Sequence, residues 1–164
     1  MAKPLLWYLN APRRTLRALL PELAPPDDAF AQASLPSAEY GLYLRMDRRD
    51  RQHACDVAKA LRERHPGASD ELVRAALLHD VGKAGRPYRL LERIVVHLLP
   101  SPWYPVEPRL EGLAGALQMK RHHPAYGAAM IRAAGGGERV ARLVAHDPSE
   151  ADEAALLERI DDET

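Results

Sequence analysis

The sequence predicts an all-α fold, and three observations support this prediction. The composition leans towards alanine, leucine, arginine and glutamate, which favour helices. Valine and isoleucine are sparse, and no segment alternates apolar and polar residues as a half-buried strand would. Apolar residues instead recur every three or four positions, in segments that end at glycine or proline. The 164-residue chain is long enough to bury a core of its own as one domain.

The predicted elements divide the chain into an N-terminal arm, residues 1–37, and a helical domain, residues 38–164. In the arm, a predicted helix at residues 13–20 precedes an irregular stretch that is punctuated by Pro21, Pro25, Pro26 and Pro36. The domain begins with predicted helices at residues 38–46 and 50–64. Ser69 is the expected N-cap of the next helix, which we expect to end or loosen at Gly82 and Gly85.

The second half of the domain is predicted to contain five further helices. They cover residues 88–99, 109–119, 124–134, 138–146 and about 150–161. A proline-rich loop follows the first of them, and three glycines at 135–137 separate the third from the fourth.

Charge and cysteine content exclude several classes of function. The chain has 23 basic and 23 acidic residues, so its balance argues against membrane binding and against an extended nucleic-acid footprint, though a local basic cluster can still bind a small anion. The single cysteine, Cys55, excludes an intrachain disulfide and a multi-cysteine zinc site. The apolar run at residues 5–9 is too short for a signal peptide or a membrane span. We therefore expect a cytoplasmic protein.

Histidine and aspartate side chains are predicted to point inward from three separate helices. His53 and His79 lie on the apolar stripes of their helices, and Asp161 shares a face with Leu157. Each residue alone is typical of a satisfied buried polar group or a surface carboxylate. Together with Asp80, they form a mixed nitrogen and oxygen set that suits Mn²⁺, Fe²⁺, Co²⁺, Ni²⁺ or Zn²⁺.

The adjacent positions of His79 and Asp80 restrict where such an ion could lie. Neighbouring side chains on an α-helix point about 100° apart, so both residues reach one ion only beyond the end of a helix. Gly82, two residues further on, is consistent with a helix end there.

These residues, in this order, resemble the HD superfamily of metal-dependent phosphohydrolases. The resemblance covers about residues 45–164, and its motifs are His53, His79-Asp80-Val81-Gly82-Lys83, His123-Pro124-Ala125-Tyr126-Gly127-Ala128, His146 and Ile160-Asp161. Residues 79–83 are similar to the HDIG variant followed by lysine, and residues 123–128 to a second signature of the same type. At residue 160, isoleucine replaces the alanine of the family pattern. The resemblance implies a single-domain orthogonal helical bundle.

The resemblance also implies roles for individual residues. A first ion would be held by His53, His79, Asp80 and Asp161, and Asp80 would bridge to a second ion held by His123 and His146. His122 is an alternative to His123, which we favour for its spacing to Gly127. His146 is followed by Asp147-Pro148, where close relatives usually carry another histidine or a polar motif. One or two divalent ions fit this pattern, because either arrangement can activate water for attack on phosphorus.

Four basic residues are candidates for contacts with a substrate phosphate. Lys83 lies one helical turn after His79, and Arg49 lies one turn before His53. Lys120 and Arg121 are further candidates beside His123. The alternatives are an ordinary surface lysine for Lys83 and a solvated charge run for Arg49.

We therefore expect a phosphohydrolase in which Asp80 and Lys83 are catalytic and the substrate is a small phosphoester, with a nucleotide favoured. The missing Gly-Tyr-Pro signature disfavours a cyclic-dinucleotide phosphodiesterase, and the lack of a Glu-Asp pair after Asp80 disfavours an alarmone hydrolase. A catalytically silent metal- or nucleotide-binding regulatory module remains an alternative, as does a metal-free structural bundle. The sequence does not define the oligomeric state, and a homo-oligomer is one alternative.

Overall fold

The computed structural model describes residues 25–86, 92, 96, 99, 103–108 and 110–164. Every regular element in this part of the chain is helical, which confirms the predicted all-α fold. The predicted helix at 13–20 and most of the one at 88–99 lie outside the described residues, although Glu92 and Val96 are helical. None of the helices described is both long and apolar enough to cross a bilayer.

Two consecutive helices of the described chain begin after residues whose side chains cap them. Ser69 accepts a hydrogen bond from the amide of Leu72 at 3.2 Å, which confirms it as an N-cap. Asp47 caps the preceding long helix in the same way. In chain order the α-helices are α1 Asp28–Ser34, α2 Ser37–Tyr43, α3 Arg48–Arg64, α4 Asp70–Leu78, α5 Gly112–Ala133, α6 Glu138–Val144 and α7 Ala151–Glu163. Short 3-10 segments cover Val81–Gly85 and Pro148–Glu150.

Helix α4 lies at the centre of the bundle. It contacts α1, α2, α3, α6 and α7, and between residues 72 and 78 Arg74 alone is not buried. A helix that is apolar on nearly all sides must be covered on all sides. The residues that follow α4 therefore emerge inside the protein, next to α3 and α7.

Helix α1 lies where the sequence predicted an irregular stretch, so that prediction is wrong for residues 28–34. Pro25 and Pro26 precede the helix and do not interrupt it, and Asp27 caps it by accepting from the amide of Phe30 at 3.0 Å. Ala31 and Leu35 are buried in the main core. Part of the segment assigned to the arm thus contributes to the packed domain, while the division at residues 37 and 38 stays a prediction.

Helix α5 is continuous, so the prediction of separate helices at 109–119 and 124–134 is also wrong. It runs for 22 residues from Gly112 to Ala133 with Pro124 inside it. Proline has no amide hydrogen, so the carbonyl of Lys120 has no amide donor at position 124. The Nδ1 atom of the His123 ring lies 3.0 Å from that carbonyl oxygen. The ring thus supplies a donor where the backbone cannot.

A buried carboxylate ties α2 and α4 to the turn before α6. Glu39 is fully buried and pairs with both Nε and Nη2 of Arg74, the Nε contact measuring 2.8 Å. The amide of Gly137 donates to the same carboxylate at 2.9 Å. A buried charge is tolerated when it is paired and hydrogen-bonded in this way.

Candidate metal centre

The four residues predicted to hold the first ion come together from three helices. His53 lies on α3, His79 and Asp80 follow α4, and Asp161 lies on α7. The Nε2 atom of His53 is 2.5 Å from Oδ1 of Asp161, and the Nε2 atom of His79 is 3.6 Å from the same oxygen. His53, His79 and Asp80 each offer one ligand atom, and these atoms lie within 4.8 Å of one another.

The backbone leaves its α-helical path between His79 and Asp80. Helix α4 ends at Leu78, His79 is its C-cap, and Asp80 adopts φ −97° and ψ 1° before the 3-10 segment begins. This turn brings Oδ2 of Asp80 to 3.6 Å from Nε2 of His79. The expectation of a helix end here is confirmed, but the helix ends before Gly82, which lies within the 3-10 segment.

The His79 ring provides the test of whether a cation fits the site. Its Nδ1 atom lies 2.8 Å from the carbonyl oxygen of Ala76, which can only accept, so Nδ1 carries the hydrogen. Its Nε2 atom is buried without a hydrogen-bond partner and faces the carboxylates of Asp80 and Asp161. In the neutral ring this leaves a lone pair that converges with two anions, an arrangement that fits a divalent cation.

The electrostatics of the cluster favour positive charge at the same place. Burial opposes the charged form of His79, but the carboxylates of Asp80 and Asp161 outweigh it and raise its pKa to about 9. Burial likewise opposes ionisation of Asp161, yet His79 and His53 lower the pKa of that carboxyl far below its usual value. Both carboxylates are therefore ionised, and a proton on His79 supplies the charge that a metal ion would otherwise provide.

His123 and His79 lie near different oxygens of the Asp80 carboxylate. Its Nε2 atom lies 3.4 Å from Oδ1 of Asp80, whereas His79 lies near Oδ2. Burial and the nearby Lys83 ammonium lower the pKa of His123 to about 4, so the ring is neutral at physiological pH. A neutral ring with hydrogen on Nδ1 directs the lone pair of Nε2 towards Asp80.

Lys83 neutralises much of the charge on Asp80. Its Nζ atom lies 2.6 Å from the carboxylate, within the turn that links the two residues. Burial would raise the pKa of Asp80, but Lys83, His79 and His123 together hold it well below its usual value. The side chain of Lys83 is 24% exposed, so its ammonium group can also meet a solute.

Two glycines let the two motifs pack directly against each other. A Cβ atom added to Gly82 would lie 2.0 Å from the carbonyl oxygen of His123 and 2.8 Å from the amide nitrogen of Gly127. One added to Gly127 would lie 3.3 Å from the amide nitrogen of Gly82. The sequence placed these glycines within separate motifs, and only the structure shows that they are in contact.

The structure also shows the surroundings of the other predicted site residues. His146 is exposed just after α6 with a φ of 57°, and no described contact links its ring to the cluster. Lys120 donates to the carbonyls of Val96 at 2.7 Å and Leu99 at 3.1 Å. Arg121 is exposed, and Arg49 is half-buried one helical turn before His53. Their predicted roles rest on the sequence alone.

Side chains of α5 hold residues 104–107 by hydrogen bonds that were not predicted from the sequence. Gln118, His122 and Tyr126 follow one another at intervals of four, and each bonds to a backbone carbonyl of residues 104–107. The ring of His122 donates to Tyr104 at 2.8 Å, while the next residue, His123, faces Asp80. Polar residues that recur every fourth position on a helix were the available signal.

Comparison with known proteins identifies a family. A model of the family described as HD domain matches residues 51–163. The chain matches none of the curated proteins and none of the solved structures with which it was compared. HD domains bind divalent metals and are typically metal-dependent phosphohydrolases. The match covers most of the chain and all of the residues that converge on Asp80, so the chain belongs to the HD domain family.

Proposed function

We propose that this chain is a metal-dependent phosphohydrolase that acts on a small phosphoester, with a nucleotide as the favoured substrate. One observation carries the proposal: the buried Nε2 atom of His79 lacks a hydrogen-bond partner and faces two carboxylates beside His53. Such a donor set suits Mn²⁺, Fe²⁺, Co²⁺, Ni²⁺ or Zn²⁺.

In this proposal, the ligands come from separate segments of the chain and serve two ions. A first ion would be held by His53, His79, Asp80 and Asp161. A second would be held by Asp80 and His123, which lie 3.4 Å apart through Oδ1 and Nε2. His146 is included as a ligand of the second ion on the basis of the sequence alone.

The protein's own groups then bind and orient the phosphoester. Bound ions of this kind lower the pKa of water to near neutrality and stabilise charge on phosphoryl oxygens. Lys83 holds a positive charge beside Asp80 and is reachable from solvent, so it can bind a phosphoryl oxygen as a point charge. We assign Arg49, Lys120 and Arg121 to further phosphate contacts as second-rank candidates.

The preference for a nucleotide rests on the aromatic side chains of the segment that α5 holds. Trp103 is 78% exposed and precedes Tyr104, whose carbonyl accepts from His122. An exposed indole offers a face on which a base can stack. Tyr104 itself packs against Val96, Ala116 and Leu117, so Trp103 is the better candidate for stacking.

A panel of phosphoesters tests the proposed function. Purified protein would be assayed with nucleoside mono- and diphosphates and with nitrophenyl phosphates, in Mn²⁺, Co²⁺, Ni²⁺, Mg²⁺ or chelator. We expect hydrolysis that requires a divalent ion, and we expect Asp80→Ala to abolish both metal content and turnover while the fold survives. Asp152→Ala, at an exposed position on α7, is the matched control.

Two results would count against the proposal. Hydrolysis by Asp80→Ala at the parental rate would remove Asp80 from the site. Stoichiometric Mn²⁺ binding without turnover of any phosphoester would favour the alternative of a metal-binding regulatory module.

A further inference from the structure

We propose that Pro124 is a positioning residue, which fixes the tautomer and direction of the His123 ring by leaving the Lys120 carbonyl to accept from it. The inference deepens the proposed function, because it takes His123 to be a metal ligand. It assigns a role to a residue that contacts neither ion nor substrate.

The first step concerns the backbone of α5. In an uninterrupted α-helix the amide at position 124 would donate to the carbonyl at position 120. Proline has no amide hydrogen, and in a helix interior it is ordinarily destabilising. Helix α5 nevertheless continues through Pro124 to Ala133. Pro124 therefore occupies a position at which proline destabilises the helix itself.

The second step concerns the His123 ring. Its Nδ1 atom lies 3.0 Å from the carbonyl oxygen of Lys120. Because a carbonyl oxygen only accepts, Nδ1 must carry the hydrogen in this contact. The Nε2 atom then presents its lone pair, and it lies 3.4 Å from Oδ1 of Asp80. Hydrogen bonds of this type fix the orientation and basicity of metal-binding histidines.

The same arrangement occurs at His79, where a different backbone feature produces it. The Nδ1 atom of His79 lies 2.8 Å from the carbonyl of Ala76, again three residues earlier in the chain. Ala76 lies in the last turn of α4, where carbonyls lack their helical donors. The His79 ring thus finds a carbonyl acceptor at the end of α4, and the His123 ring finds one beside the proline inside α5. Both rings direct Nε2 to the same carboxylate.

The test replaces the proline by a residue that restores the amide. In Pro124→Ala the new amide competes with the His123 ring for the Lys120 carbonyl. Long-range nitrogen–proton correlation spectra of the metal-free protein at pH 7.5 would show His123 protonated on Nδ1 in the parent. We expect Pro124→Ala to shift the ring towards a mixture of tautomers, with the His123 signals identified by their loss in His123→Ala.

The second readout is the affinity for Mn²⁺ measured by titration calorimetry. We expect Pro124→Ala to weaken it by about 10- to 100-fold, the range found when a partner of a ligating histidine is removed. In a His123→Ala background the same substitution should have no further effect, because the proline acts through the ring. Pro66→Ala, in an exposed turn, is the control for loss of a proline.

An unchanged tautomer and unchanged Mn²⁺ affinity in Pro124→Ala would overturn the inference. So would an equal loss of affinity in the His123→Ala background. Since the tautomer is read in metal-free protein, a parent that hydrolyses no phosphoester would overturn the proposed function without deciding the role of Pro124.

Discussion

Gly82 lies directly against the main chain of His123, so closely that a methyl group on Gly82 would sit 2.0 Å from the His123 carbonyl oxygen. Gly82 belongs to the 3-10 segment that carries Lys83, and His123 belongs to α5. This contact sets the distance between the two halves of the site. It explains why the residue two positions after Asp80 has no side chain.

Gly82→Ala is expected to push α5 away from the 3-10 segment. The clash involves backbone atoms, which cannot rotate aside, so we expect the free energy of unfolding to fall by about 1–3 kcal/mol. Binding of Mn²⁺ should weaken as well, because His123 moves away from Asp80. Denaturant unfolding and calorimetry measure the two effects. Gly85→Ala is the matched control, since a Cβ there meets nothing within 4 Å.

Lys83→Met tests whether the ammonium group acts on the substrate or merely balances Asp80. We expect kcat to fall by about 100-fold, the usual effect of removing one group that stabilises transition-state charge. The affinity for Mn²⁺ should not weaken, because the lysine cation and the metal compete for Asp80. Lys59→Met, at an exposed lysine on α3, should change neither quantity. An unchanged kcat in Lys83→Met would remove Lys83 from catalysis.

Glu39→Gln is expected to destabilise the fold and spare the site. The carboxylate is fully buried and holds Arg74 and the amide of Gly137, so the substitution leaves the guanidinium without the buried charge that pairs with it. Removal of one partner of a buried pair typically costs about 3–5 kcal/mol. Urea denaturation measures the loss. At a temperature where the variant is folded, its Mn²⁺ stoichiometry should equal that of the parent, and a lower stoichiometry would contradict the separation of the two clusters.

The residues that point inward were predictable, because helical periodicity shows which face is buried. His53 and His79 lie on apolar stripes of α3 and α4, and the stripes are visible in the sequence. Periodicity also predicted that Asp161 shares the inward face of its helix with Leu157, and the family resemblance joined it to His53, with which it pairs at 2.5 Å. Periodicity within one helix says nothing about such long-range pairs, so the sequence pattern alone could not have joined them.

Backbone details were less predictable, and proline is the main reason. A proline usually indicates the end of a helix, yet Pro124 lies inside α5 because a side chain donates to the carbonyl that it leaves unbonded. Pro25 and Pro26 suggested an irregular stretch, but they stand before a capped helix. The contact of Gly82 with His123 could not be predicted either, because spacing along the chain does not show which glycine packs against another helix.

Cys55 is expected to resist thiol reagents in the folded protein. It is 1% exposed, and its Sγ atom lies 3.2 Å from the hydroxyl of Tyr43. Burial raises the pKa of the Cys55 thiol above its ordinary value of 9.0. The neutral thiol therefore favours the folded state below about pH 9, and that contribution is lost as the pH rises through the folded-state pKa.

Labelling with a disulfide reagent at pH 8 measures this protection. The native protein should react orders of magnitude more slowly than the protein unfolded in guanidinium, because the thiolate is both scarce and inaccessible. Reaction of the native thiol at the unfolded rate would contradict the packing of Cys55, on α3, against Tyr43 of α2.

The central claim is that His53, His79, Asp80 and Asp161 hold one divalent cation, and anomalous diffraction from crystals grown with Mn²⁺ tests it most directly. We predict an anomalous peak among these four side chains, about 2.0–2.3 Å from Nε2 of His79, a range typical of such ligands. A map at full Mn²⁺ saturation without a peak there, with His53 still bonded to Asp161, would contradict the account.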